Sequence, residues 1–251
     1  MKRKTKDAVL TAISLIALVI LWLVASYNSP RFFPSPMKVC ERLLQLFQSP
    51  IGKTSIFGHI LVSLRRVMVG FVVASILGII TGLAMGWNKK ARAIINPIFT
   101  ALRPIPPIAW IPLVILWFGI GEFSKYLLIF IGAYFVVVLN TAAGVAMVEP
   151  MYISVGRVYK ANTWLMLRHI VFPAAMPAII AGLKIALSTS WMVVVAAEMI
   201  ASKSGLGFLI TRGSESLDVA LVMISMILIG VVGALLSAVF SWLERRICPW
   251  K

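Results

Sequence analysis

Long apolar runs separated by short polar or basic blocks set the pattern of this chain. Six stretches, 8–27, 67–87, 93–121, 126–148, 173–201 and 219–243, are apolar over about the 20 residues that a helix needs to cross a bilayer. The pattern predicts an all-α integral membrane protein with about six transmembrane helices. The third run is unlike the others, because Arg103 and the cluster Pro104, Pro106, Pro107 and Pro112 interrupt it. Each proline removes a backbone donor and disfavours helical geometry before it. Broken backbone at membrane depth is tolerated only inside protein or along a watery cavity. The segment is therefore expected to line a pathway or to act as a hinge, with Arg103, Pro106, Pro107 and Trp110 as candidate pathway residues.

The same pattern divides the chain. Residues 1–27 form an N-terminal tail and the first transmembrane helix. Residues 28–66 read as an extracytoplasmic loop opening with Pro30, Pro34 and Pro36. Val39, Leu43, Leu44 and Phe47 then recur at helical spacing, as in a short amphipathic helix on a membrane surface or against a partner. Residues 67–243 hold the other five helices, with a structured inner loop at 149–172, and 244–251 form a second tail.

Composition supports lipid exposure. Hydrophobic residues make up 61% of the chain and charged residues 13%, with a mean hydropathy of +0.98. A soluble domain is about half apolar and about a quarter charged. The net charge of +16 would suggest nucleic acid on a soluble protein. Here the basic residues stand in blocks between apolar runs, without interleaved aromatics, and read as orientation signals rather than a nucleic-acid surface. An inside N-terminus puts Lys2, Arg3, Lys4, Lys6, Lys89, Lys90, Arg92, Arg157, Lys160, Arg168, Arg245, Arg246 and Lys251 in the cytoplasm. The long first outer loop then holds Arg31, Lys38, Arg42, Lys53, Arg65 and Arg66, and later outer loops hold only Lys125, Lys203 and Arg212. Both termini are thus expected in the cytoplasm. The first apolar run exceeds the usual signal-peptide core and no A-x-A site follows it, so it reads as an uncleaved anchor.

Little local chemistry is visible. On this topology Cys40 and Cys248 lie on opposite sides and cannot pair within one chain. His59 and His169 are too far apart in sequence for a local metal motif. Gly52-Lys53-Thr54 is like the end of a phosphate-binding loop, but Phe47 stands where the first glycine belongs and no strand precedes it. The chain is expected to have no nucleotide-hydrolysing site and not to be an enzyme. Packing signals are clearer. Gly70, Ala74, Gly78, Gly82 and Gly86 line one face of the second helix, and Gly230, Ala234 and Ala238 form a shorter stripe on the sixth. Such stripes let helix backbones approach closely, within the chain or against a second subunit. Lys184 and Glu198, on one helix, lie roughly 20 Å apart along the axis, too far to pair directly. As charges in an apolar run they join Trp191 as candidate pathway residues.

The inner loop carries a family resemblance. Anchored on Pro173, it is similar to the coupling motif of ATP-binding-cassette importer permeases: Glu-Ala-Ala, three residues, Gly, nine residues, then Ile-x-Leu-Pro. Ile170 matches, Phe172 replaces Leu, the Gly position falls on Lys160, and Ser154, Val155 and Gly156 replace Glu-Ala-Ala. The second half of the motif fits and the first departs. Further stretches resemble the nitrate, sulfonate and taurine subgroup. They are Ser63-Leu64-Arg65-Arg66-Val67 to Gly70, the segment 102–121 ending in Trp117-Phe118-Gly119-Ile120-Gly121, Pro173-Ala174-Ala175-Met176-Pro177, Gly182, Trp191 to Glu198, and Gly205-Leu206-Gly207.

The resemblance implies a type I importer permease fold in a bacterial plasma (inner) membrane. It implies a second permease subunit, with a homodimer expected ahead of a heterodimer, a cytoplasmic ABC ATPase dimer and an extracytoplasmic substrate-binding protein. The chain itself would bind no cofactor, since ATP and Mg belong to the ATPase. Gly156, Arg157, Lys160, Ala161, Arg168 and Pro173 would form the coupling surface. The substrate would be a small anion or zwitterion such as a sulfonate, taurine or nitrate. An ion-coupled secondary transporter is the alternative, but it predicts matching helix breaks in two halves, and the proline-rich break has no counterpart.

Overall fold

The computed structural model describes residues 2–29, 31–52 and 54–248. Pro30 and Lys53, placed above in the first outer loop, and Lys251, placed in the cytoplasm, lie outside the described residues. In chain order the elements are α1 (Lys2–Asn28), α2 (Pro36–Gln48), α3 (Ile56–Trp87), α4 (Lys89–Leu102), a 3-10 turn (Pro107–Trp110) running into α5 (Ile111–Phe118), and α6 (Glu122–Ala146). There follow α7 (Pro150–Val158), α8 (Thr163–Met166), a π turn (Leu167–Val171) running into α9 (Phe172–Ala201), α10 (Leu206–Glu215) and α11 (Val219–Ile247).

Among the described residues, five helical stretches are long and apolar enough to cross a membrane, and α4 plus the Pro107–Phe118 segment, bent by 84°, would make a sixth. The bend falls on the predicted proline cluster. Pro104, Pro106 and Pro107 cannot supply the backbone donors that would continue α4.

The core is a layer of α3, α6 and α9. The small-residue stripe of α3 packs on α6, which runs parallel to it. A Cβ on Gly78 would come within 2.8 Å of Val137, and one on Gly70, Gly82 or Gly86 within 2.6 Å of Ile129, Thr141 or Val145. Each glycine faces the residue 59 positions further along. The same register sets Ala74 opposite Ala133, both buried. α9 returns antiparallel on the other side of α6, with Gly132 against Val193 and Gly144 against Ala175 and Ala178. The α11 stripe differs: Gly230 has nothing within 4 Å, and Ala234 and Ala238 are exposed.

Several predicted boundaries move. The loop assigned to 28–66 ends at residue 55, because α3 begins at Ile56, with the Ser55 hydroxyl capping it by accepting from Gly58 N at 3.2 Å. A charged pair at 65–66 looks like a loop, yet Ser63 and Arg66 are buried on the inner face of this helix, where protein groups satisfy them. α6 starts at Glu122, so Lys125 belongs to its first turn and is buried rather than in a loop. α11 runs to Ile247, carrying Arg245 and Arg246 in its last turn. There they complement the helix dipole.

α2 has the predicted amphipathic character, and this chain supplies its partner. Val39 and Leu46 are buried, and Arg42 Nε donates to Asp218 Oδ2, beside α11, at 2.8 Å. Trp22 Nε1 of α1 donates to Pro34 O at 3.0 Å and fixes the entry to α2.

Candidate functional site

Three regions carry polar or surface features that helix packing alone does not require. The first is a polar hub where α3, α6, α9 and α10 meet, sealed at Arg66 and Glu198 and open to solvent at Glu122. His59, Ser63 and Arg66 stand on one face of α3, all buried. Glu198, near the end of α9, is completely buried. Arg66 Nη1 donates to Glu198 Oε1 at 2.8 Å and to Ser204 O at 2.6 Å. Its other edge grips Glu122 on α6, Nε reaching Oε2 at 2.9 Å and Nη2 reaching Oε1. Ser63 Oγ donates to Glu198 Oε2 at 2.8 Å and accepts from Leu206 N at 2.9 Å. Gly207 N donates to Glu198 Oε2 at 3.0 Å, so this carboxylate rests on the N-terminus of α10. Gly205 N donates to His59 Nδ1 at 3.0 Å, which leaves the proton of the neutral ring on Nε2, toward Ile51 O. Lys125 Nζ adds a bond to Glu122 Oε1 at 3.0 Å.

The chain at 204–207 is shaped by this hub. Gly205 has φ +115, and a Cβ there would overlap the Glu198 carboxylate; a Cβ on Gly207 would overlap Val195 O. Only glycine fits at either place. The hub also joins segments far apart in sequence, those around Arg66, Glu122, Glu198 and Gly205. This corrects the pathway assignment of Glu198, which is held in the hub because burial of its charge demands these donors.

The second region is a cavity of about 370 Å³ between the proline break, α6 and α9. Arg103 and Pro107 line it together with Phe135, Asn140 and Thr189. Pro106 and Trp110 sit in the adjoining turn, Pro106 exposed and Trp110 half-buried against the core. Lys184 and Trp191 are directed elsewhere, into a separate crevice between α9 and α11. There Trp191 Nε1 donates to Ile229 O at 3.1 Å, and Lys184 lies 3.8 Å from Glu244.

The third region is the loop at the far end of the core. α7 stops at Tyr159, and Lys160 adopts a left-handed φ of 53. Ala161 N donates to Gly156 O at 3.0 Å and Lys160 N to Arg157 O at 2.9 Å, the paired bonds of a Schellman stop. Glycine is the usual residue there, which accounts for a glycine in the coupling motif where this chain has Lys160. Gly156 is buried, and a Cβ on it would come within 2.7 Å of Ile170 and 3.1 Å of Met166. Met166 and Val171 fasten the loop into a small core with Val145, Ala175 and Ile179. Its outer surface presents Tyr152, Val155, Val158, Tyr159 and Trp164, all exposed, alongside exposed Arg157, Lys160, Arg168 and Pro173. Ala161 is half-buried at the rim.

Glu122, Ser204 and Asn140 were not singled out from the sequence, and His59 was considered only as a metal ligand and set aside. His59, Ser63 and Arg66 recur at spacings of four and three, the helical signal that marks one face, but in polar residues outside an apolar run.

Residues 74–250 match the family described as binding-protein-dependent transport system inner membrane component. The chain is 36% identical to the taurine transport system permease protein TauC of Escherichia coli strain K12, over 94% of this chain and 86% of that protein. It is 35% identical to the nitrate import permease protein NrtB of a Synechocystis strain, over 95% of this chain and 88% of that protein. Among solved structures, the MetNI methionine ABC transporter in an inward-facing conformation has a chain that matches with a TM-score of 0.61 at 17% identity, covering 72% of this chain and 93% of that one. The chain belongs to the binding-protein-dependent permease family. It is an all-α membrane protein with the type I ABC importer permease fold and serves as a permease subunit of such an importer.

Proposed function

We propose that two permease chains, most simply two copies of this one, enclose a single pathway for a small anion or zwitterion. The hub end faces the extracytoplasmic side and receives substrate from a binding protein. The loop end, with both termini, faces the cytoplasm of a bacterial inner membrane and docks a separate ATPase, where ATP and Mg are bound. The observation that carries this reading is the loop at 149–172. It is stapled to α6 and α9 from beneath while its outer surface stays apolar and basic. A rigidly anchored patch of this kind transmits the displacement of a docked partner into the helices that hold it. The names of the taurine and nitrate relatives support the substrate class, because taurine carries a sulfonate and nitrate is itself an oxyanion.

The test is affinity purification of the chain in mild detergent with mass spectrometry of what accompanies it, followed by ATP-dependent uptake of taurine and nitrate by the recovered complex. Recovery of a cytoplasmic ATPase supports the reading. A chain that transports with no ATPase present overturns it in favour of ion coupling.

A further inference from the structure

Arg103 stands out among the basic residues of this chain. Its side chain is exposed and makes no hydrogen bond or ion pair among the described residues. Yet it lies beside the middle of the core. Its cavity reaches Phe135, near the middle of α6, and Thr189, roughly 25 Å from one end of α9 and roughly 18 Å from the other. A cation at mid-depth is costly to insert and marks an ion or substrate path by default. Other membrane-embedded cations here are matched: Arg66 has two carboxylates, Lys125 has Glu122, and Lys184 has Glu244.

The cavity lining includes no acidic residue and no second basic one, so Arg103 alone sets the sign of its field. The polar groups around it are uncharged. Asn140 spends one amide N–H on Val136 O at 2.8 Å and keeps the other free, and the Thr189 hydroxyl proton is committed to Ile185 O at 3.0 Å. Gly182 makes room for Asn140, because a Cβ there would overlap its side chain. Phe135, Ile131 and Pro107 supply apolar walls.

We infer that this cavity is a binding site for a small monovalent oxyanion, held by the Arg103 guanidinium and the free amide N–H of Asn140. One cation with no carboxylate nearby matches a single negative charge. The planar donor fork of arginine fits the oxygen edge of a sulfonate or nitrate. Mid-depth placement, away from headgroup level, favours a transported solute over a lipid phosphate. The inference rests on the permease reading and names where in the pathway the anionic group is held.

The test uses the full chain in lipid nanodiscs, open on both faces, in a Cys40→Ser background with Thr189→Cys as reporter. The introduced thiol is treated with thiosulfonate reagents of equal size, one bearing a negative sulfonate and one a positive trimethylammonium. A lone positive charge across a water-filled cavity of this size should raise the ratio of negative to positive reaction rates by about tenfold. Arg103→Gln should abolish that preference, and Arg103→Lys, which keeps the charge, should retain it. Nitrate or methanesulfonate should slow modification more than chloride does at equal ionic strength. A ratio indifferent to residue 103, a thiol that neither reagent reaches, or no protection beyond chloride would each overturn the site. ATPase recovery is scored separately. A flat ratio in a chain that still recovers its ATPase removes only the anion site, whereas loss of the ATPase partner removes the permease reading whatever the ratio.

Discussion

Arg66 on α3 and Glu198 on α9 meet at 2.8 Å with both side chains sealed from solvent, 132 residues apart in sequence. Arg66 also holds Glu122, so one guanidinium ties three core helices and the 204–207 turn together at one end of the bundle.

Removing one partner of such a pair leaves a buried charge short of its counter-ion, at about 3–5 kcal/mol. Arg66→Met and Glu198→Met should each lower the thermal transition of the detergent-solubilised chain. The double variant should recover much of the loss, because an apolar pair needs no counter-charge. Thermal unfolding followed by size exclusion reads this, and a double variant as damaged as the sum of the singles would show that the pair does not act as a unit.

The two glycine stripes should behave differently. Gly82 abuts Thr141 and the carbonyl of Val138, so Gly82→Leu forces α3 and α6 apart and should cost about 1–3 kcal/mol or more. Gly230→Leu meets open space and should leave the isolated chain as stable as before. The same thermal assay checks both. If Gly230→Leu instead abolishes assembly of two permease chains, the α11 stripe belongs to their interface.

At the loop end, Lys160 holds a left-handed conformation that costs a side-chain-bearing residue about 1–2 kcal/mol. Lys160→Gly should therefore stiffen the loop and Lys160→Val loosen it. Limited proteolysis of the 149–172 segment in nanodiscs would show slower cleavage for the first and faster for the second.

Gly156 marks the part of the loop where bulk has nowhere to go, and Ala161 stands half-buried at its rim. Gly156→Leu collides with Ile170 and Met166 and should distort the docking surface while the membrane helices stay in place. Replacing Ala161 with a charged residue should act at the rim. Both should reduce ATPase recovery by on the order of tenfold or more, with membrane insertion unchanged by fractionation. Undiminished uptake in either variant would remove the loop from the mechanism.

Much of the fold was legible in the sequence, because lipid imposes a simple demand. A spanning helix must be long and apolar, so the runs at 67–87, 126–148, 173–201 and 219–243 could be read directly and erred only at their ends. The N-terminal ends of α3 and α6 erred because Ser63, Arg66 and Lys125 are polar residues buried inside helices, and periodicity of apolar residues carries no trace of them. Glu198 shows the same gap. Its type and setting marked it as important, but pathway and hub could not be told apart without its partners.

The sequence by itself determined the membrane class, the site of the helix break and the stripe on α3, because hydropathy, proline chemistry and helical spacing are local properties. Tertiary structure alone decided which charges meet and which stay unpaired. Arg66 and Arg103 are both arginines near apolar runs, yet one is neutralised by two carboxylates and the other faces a cavity lined by no acidic residue. That difference depends on which helices pack side by side, since a charge in a low-dielectric layer is governed by the few groups within reach rather than by its neighbours in sequence.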